Sequence, residues 1–181
     1  PGKQYRYRVF AQEVLKHTGY KIIYGSYAST DVYYRKPLTF HTCNPQAPAT
    51  SFVMVNDIHG DNKLLEDLMS RCNLTQTDFV LFNGDMLSFI NSEDQLFKGF
   101  MDTAVRLFAS EIPMYYARGN HETRGVFATE IQRYFSPCQE HLYYAFRQGP
   151  VYCIVLDTGE DKPDSDIEYA GITQYDLYRT E

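Results

Sequence analysis

Residues 51–72 read SFVMVNDIHGDNKLLEDLMSRC, and the change of pattern inside that stretch decides the fold. Ser51 to Asn56 is a short apolar run ending in polar residues, the length of a strand. From Asn62 to Cys72, Leu64, Leu65, Leu68 and Met69 recur at helical spacing. Between strand and helix sits a polar turn, Asp57-Ile58-His59-Gly60-Asp61. The same alternation continues downstream. Asp78 to Asn83 reads as a strand, and Gln95 to Ala109 as an amphipathic helix with Phe97, Phe100, Met101 and Leu107 among its apolar positions. Ile112 to Ala117 is a third strand, Val126 to Phe135 a short helix, and Leu142 to Phe146 and Val151 to Leu156 two more strands. Strands and helices repeated at this spacing imply βαβ units, hence an α/β fold with a largely parallel sheet and flanking helices.

Upstream of residue 45 the period changes to two. Tyr5, Tyr7 and Val9 fall on one face with Arg6 and Arg8 on the other, and Tyr34 to Thr42 alternates with Leu38 and Phe40 inward. Gly19 to Tyr33 reads as turns and short strands, and Asn44-Pro45-Gln46-Ala47-Pro48 as a linker. This predicts a short all-β segment over residues 1–45 and an α/β domain over 50–181. Two or three strands bury little by themselves. The alternatives are the end of a larger β-domain or a hairpin packed on the α/β part.

Composition narrows the partners. The formal net charge of -6 gives no basic surface for a nucleic-acid backbone. No run of about 18 apolar residues is present, so no membrane span is expected. The four cysteines (Cys43, Cys72, Cys138, Cys153) lack the paired spacing of a structural zinc site and read as small packing residues.

Three polar groups follow the first three α/β strands: Asp57-Ile58-His59-Gly60-Asp61, Asn83-Gly84-Asp85 and Arg118-Gly119-Asn120-His121-Glu122. Loops at the carboxyl ends of parallel strands gather on one edge, so residues far apart in sequence meet there. Each group alone has an ordinary explanation: an exposed loop pair, a tight turn, or a helix start capped by Asn120. Together, in order and each at a strand end, they fit metal ions. Carboxylate beside imidazole suits zinc, iron or manganese better than calcium. Asp57 and His59 can face one ion, Asp85 can bridge two, Asn120 offers an amide oxygen to the second, and His121 is left for proton transfer. Arg118 and Arg124 are candidate phosphate contacts. Asp61 either orients a histidine from behind or caps the following helix.

These blocks resemble the Asp-x-His, Gly-Asp and Gly-Asn-His-Glu signatures of the calcineurin-like metallophosphoesterase superfamily over about residues 51–160. The resemblance implies mixed sheet layers with flanking helices and a phosphate-ester substrate. It also implies two divalent or trivalent ions (Fe, Mn or Zn) about 3.5–4 Å apart, with a hydroxide bridging them as nucleophile. Asp57 and His59 then look like ligands of the first metal, Asp85 like the bridge, Asn120 like a ligand of the second, and His121 like the acid that assists the leaving group. Pro1-Gly2-x-x-Tyr5-x-Tyr7-x-Val9 resembles the closing strands of a fibronectin type III or immunoglobulin-like sandwich. An appended sandwich is similar to what secreted or cell-envelope members carry, which sets the expected localisation as secreted, periplasmic or cell-envelope.

Departures from the pattern matter as well. Purple acid phosphatases have glycine at the place of His59 and a metal-binding tyrosine at the place of Ser88, and Ser/Thr protein phosphatases have aspartate at that second place. The family's downstream histidine and Gly-His-x-His block have no counterpart among His17, His41, His59, His121 and His141, the last of which reads as structural. The expectation is therefore a fragment of a phosphoesterase, weak or inactive alone. The alternative is a degenerate member acting as a non-catalytic binding module. An incipient helix is expected over Ile172-Thr173-Gln174-Tyr175.

Overall fold

A computed structural model of the chain describes residues 1–30, 37–135 and 141–162. Tyr33 and Tyr34, Cys138 and the helix expected at 172–175 lie outside the described residues. The α/β part is built on three parallel strands, β5 (Phe52–Val55), β6 (Phe79–Asn83) and β7 (Met114–Ala117), with β6 in the centre. Helix α1 (Asn62–Ser70) connects β5 to β6, and a continuous helix α2 over residues 93–109 leads from β6 towards β7. Two stretches of α2, Phe97–Met101 and Val105–Ala109, open to π geometry.

The two faces of β6 are covered by different partners, which explains why Phe79 to Phe82 is apolar without interruption. On one face Phe82 meets Phe100 and Phe108 of α2 edge-on, at 5.6 and 5.8 Å between ring centroids. Leu65 and Met69 of α1, Ala104 of α2 and Tyr116 of β7 complete this core. On the other face Phe79 packs against Tyr115 and against Phe146, at 5.4 and 5.2 Å. Phe146 belongs to an antiparallel pair, β8 (Tyr144–Gln148) and β9 (Val151–Val155). The architecture agrees with the α/β expectation: a parallel sheet between helices and a second, antiparallel layer. A short closing helix, Gln132–Phe135, stacks Phe135 on Tyr116 at 4.1 Å.

The N-terminal part holds two short strands where the alternation placed them and a long ribbon between them. β1 (Gln4–Tyr7) pairs with β4 (Leu38–His41), with Tyr5 opposite Phe40 and Tyr7 opposite Leu38. Between them lies an antiparallel ribbon of nine-residue strands, β2 (Phe10–Thr18) and β3 (Lys21–Ser29). The turns and short strands expected from Gly19 to Tyr33 are thus corrected over 21–29. Backbone pairing to β2 keeps this segment extended although Gly25 interrupts it and Ile22-Ile23 breaks the alternation. The segment is tied to the α/β part where Thr39 N–H donates to Glu111 Oε1 (3.0 Å), Asn44 N–H to Gln148 Oε1 (2.8 Å) and Tyr7 O–H to the Ser110 carbonyl. Cys43, Cys72 and Cys153 are half-buried and free, with Cys43 Sγ 3.0 Å from the Tyr115 hydroxyl.

Candidate metal centre

The turns that leave β5, β6 and β7 are laced edge to edge by backbone bonds. Asp57 N–H donates to the Gly84 carbonyl (3.2 Å), His59 N–H to that of Asp85 (3.0 Å) and Gly60 N–H to that of Met86 (2.7 Å). To make these bonds the chain adopts left-handed backbone angles at three side-chain-bearing residues: Asp57 (φ 58°), His59 (φ 51°) and Asp85 (φ 56°). Among the described residues they are the only non-glycines with positive φ. Such a conformation costs on the order of 1–2 kcal/mol per L-residue. Its concentration on these three residues marks a functional site. The turns also approach too closely for side chains at two points. A Cβ on Gly84 would lie 2.8 Å from Gly119 Cα, and one on Gly119 would lie 2.6 Å from the Asp85 nitrogen. Glycine at 84 and 119 is what lets the second and third blocks touch.

Side chains converge where the turns meet. One ligand-capable atom from each of His59, Asp85 and His121 lies within 4.8 Å of the others. The two imidazoles meet edge-on with centroids 4.6 Å apart. Asp57 adjoins this group, its Oδ1 3.8 Å from His59 Nε2, and its other oxygen accepts from Asn56 Nδ2. Asp85 Oδ1 accepts from the His121 amide at 3.2 Å. Asn120 stands on the same loop, with its Nδ2 donating to Asp161 Oδ1 at 3.0 Å. All five expected ligand and acid positions thus line one edge of the sheet. The tightest convergence includes His121 and leaves Asp57 at its margin.

Ser88 fixes both rings. Its carbonyl lies 3.0 Å from His121 Nδ1, the same nitrogen that Arg124 Nη1 approaches at 3.2 Å. Its hydroxyl lies 3.2 Å from His59 Nδ1, which leaves Nε2 of that ring towards Asp57. Glu122 is fully buried and receives three backbone amides: Asp85 (2.9 Å) and Gly119 (3.0 Å) on Oε2, and Leu87 (2.9 Å) on Oε1. Burial pushes its carboxyl pKa up, and the three amides oppose that shift. Sequence reading placed Glu122 in a block and gave it no task. The positions of Ser88 and Glu122 were visible, but contacts made through backbone atoms leave no residue-type signal.

The remaining expectations fare differently. Arg118 was a candidate phosphate contact. Instead its Nε and Nη2 grip Asp157 at 2.9 and 2.5 Å, with both side chains about one-twentieth exposed, because a buried guanidinium needs a carboxylate. Arg124 clasps Glu160 through Nε (2.6 Å) and Nη2 (2.7 Å) and sets Nη1 3.2 Å from His121 Nδ1. Asp61 caps α1, its Oδ1 accepting the Leu64 amide at 2.9 Å, so of its two expected roles the structure gives it the cap. His141 stacks on Tyr143 at 4.7 Å and is not among the three converging side chains. A cavity of about 590 Å³ beside Thr39, Asp78, Arg106 and Glu111 contains none of these residues and lies at the opposite end of the strands.

Comparison with known proteins gives three results. Residues 50–179 match the profile of the calcineurin-like phosphoesterase family. No curated protein matches the sequence. Among solved structures, a purple acid phosphatase isolated from yellow lupin (Lupinus luteus) seeds is similar, with a TM-score of 0.56 and 17% identity over 86% of this chain. At that identity the likeness speaks for the fold. The chain spans 31% of the length of the lupin protein.

Proposed function

Because this chain belongs to the calcineurin-like phosphoesterase family, we propose that its protein hydrolyses phosphate esters at a dinuclear metal centre on the loops after β5, β6 and β7. The observation that carries the reading is the convergence of His59, Asp85 and His121, the first two on backbone held in left-handed conformations. The donor set fits transition metals: carboxylates from Asp57 and Asp85, an imidazole from His59 and an amide oxygen from Asn120. When bound, such ions activate a water and polarise the phosphoryl oxygens. The chain's own residues supply the rest. Asp57, His59 and Asp85 would hold one ion, and Asn120, with Asp85, would serve the other. His121, its Nδ1 set 3.0 Å from the Ser88 carbonyl, protonates the leaving oxygen when its ring carries both protons and returns to the neutral form as it does so, a task suited to imidazole near neutral pH. Arg124, seated on Glu160, places positive charge beside that ring.

The same reading covers organisation and location. Residues 1–45 serve as closing strands of a fibronectin III-like sandwich, and 50–181 as the first part of the phosphoesterase domain. A secreted, periplasmic or cell-envelope setting goes with the appended strands.

The test is hydrolysis of p-nitrophenyl phosphate by the full-length protein, before and after chelation. Chelation abolishes turnover, re-addition of Mn²⁺ or Zn²⁺ restores it, and Asp85→Asn lowers kcat at least about 100-fold, a loss on the scale of one transition-state interaction. Undiminished activity in Asp85→Asn overturns the assignment. Bound ions without turnover favour the alternative of a binding module.

A further inference from the structure

We propose that the acidic segment after β9, residues 157–161, is a positioning strap for the loop after β7, and that Asp161 dictates which way the Asn120 amide faces. The inference rests on the reading of Asn120 as a metal ligand and adds residues that nothing in the sequence motifs assigns. Three polar residues of the loop are held by carboxylates of the segment. Arg118 is gripped by Asp157 and Arg124 by Glu160, both through two nitrogens. Asn120 donates Nδ2 to Asp161 Oδ1 at 3.0 Å.

The chemistry of Asp161 makes that last contact directional. Its Oδ1 also accepts from Arg124 Nη2 (3.1 Å) and its Oδ2 from Lys162 Nζ (2.9 Å), so cations face both of its oxygens. An ionised carboxylate only accepts, so the Asn120 atom facing it must be the NH₂ group. The amide is planar, and its oxygen therefore projects from the other side. Only the oxygen can ligate a cation. With Asp161 present the ligand atom is pre-aimed, and without it the amide is free to rotate and present either end.

The experiment compares Asp161→Ala and Asp161→Asn in the full-length protein, with Asp94→Ala, which breaks a surface ion pair to Lys98, as control. Two quantities are read: Mn²⁺ binding by calorimetry, and hydrogen exchange of the Asn120 side-chain amide by NMR. Asp161→Ala weakens one ion-binding step about tenfold or more and leaves the other unchanged, the usual scale for a partner that orients a ligand. The Asn120 amide protons then exchange faster. Asp161→Asn, which keeps an acceptor oxygen, restores most of both. Unchanged Mn²⁺ steps together with unchanged amide exchange in Asp161→Ala overturn the proposal, as does equal loss in Asp161→Asn. Failure of the wild-type protein to bind Mn²⁺ overturns the metal reading instead, and the amide exchange still decides whether Asp161 orients Asn120.

Discussion

Glu122 takes amides from Asp85, Leu87 and Gly119 on its two oxygens, so the second and third loops share one buried anion. Removing it leaves three N–H groups, one buried and two partly buried, without their acceptor, each costing up to about 1–3 kcal/mol when unsatisfied. Glu122→Ala should therefore lower unfolding free energy by roughly 3 kcal/mol or more. Glu122→Gln keeps one acceptor and turns an NH₂ towards amides, and should lose about 1–3 kcal/mol. Urea unfolding of both variants reads this directly, and loss of under about 0.5 kcal/mol, the surface scale, would refute the staple. At this scale the sequence told much about ligands and little about supports. Asp57, His59, Asp85 and His121 declare themselves by residue type. Glu122 and Ser88 act through partners about 30 residues away or through backbone atoms, which no local pattern encodes.

Elements were legible in proportion to how strongly one face is buried. Helix α1 begins at Asn62, where the spacing of its leucines put it, with Leu65 and Met69 fully buried. β6 and α2 agree with their expected spans to within two residues at each end. β3 was read as turns and short strands instead of one nine-residue strand because all of its residues except Gly25 are exposed, so no face imposes a period. The start of α1 also carries a test. If Asp61 is a cap, Asp61→Ala costs about 1 kcal/mol and Asp61→Ser a fraction of that. Thermal denaturation checks the stability, and Mn²⁺ affinity should be the same in both variants. A drop in affinity without a stability loss would give Asp61 the histidine-orienting role instead.

Across the whole molecule, the sheet order β5-β6-β7 is what the three-block reading required, since parallel neighbours bring residues 57, 85 and 120 to one edge. The N-terminal part was less legible: its pairing β1-β4 encloses the ribbon β2-β3, and long-range pairing of exposed strands leaves little trace in composition. The ribbon begins and ends together, with Thr30 N–H donating to the Val9 carbonyl at 3.0 Å. Replacing residues 10–29 by a short Gly-Ser link should therefore shift the melting midpoint by less than about 2 °C, corresponding to roughly 0.5 kcal/mol in a domain of this size. A large fall in a calorimetric scan would mean the ribbon supports the α/β part.

The left-handed turns at Asp57, His59 and Asp85 have a practical corollary for anyone seeking a hardier protein. Glycine would relax each backbone without penalty from a Cβ, so random libraries screened for heat resistance would find attractive substitutions at these three positions. Every such winner would discard a donor atom. Here robustness and chemistry compete for the same torsion angles, and a stability screen run without an activity screen would dismantle the pocket while reporting success.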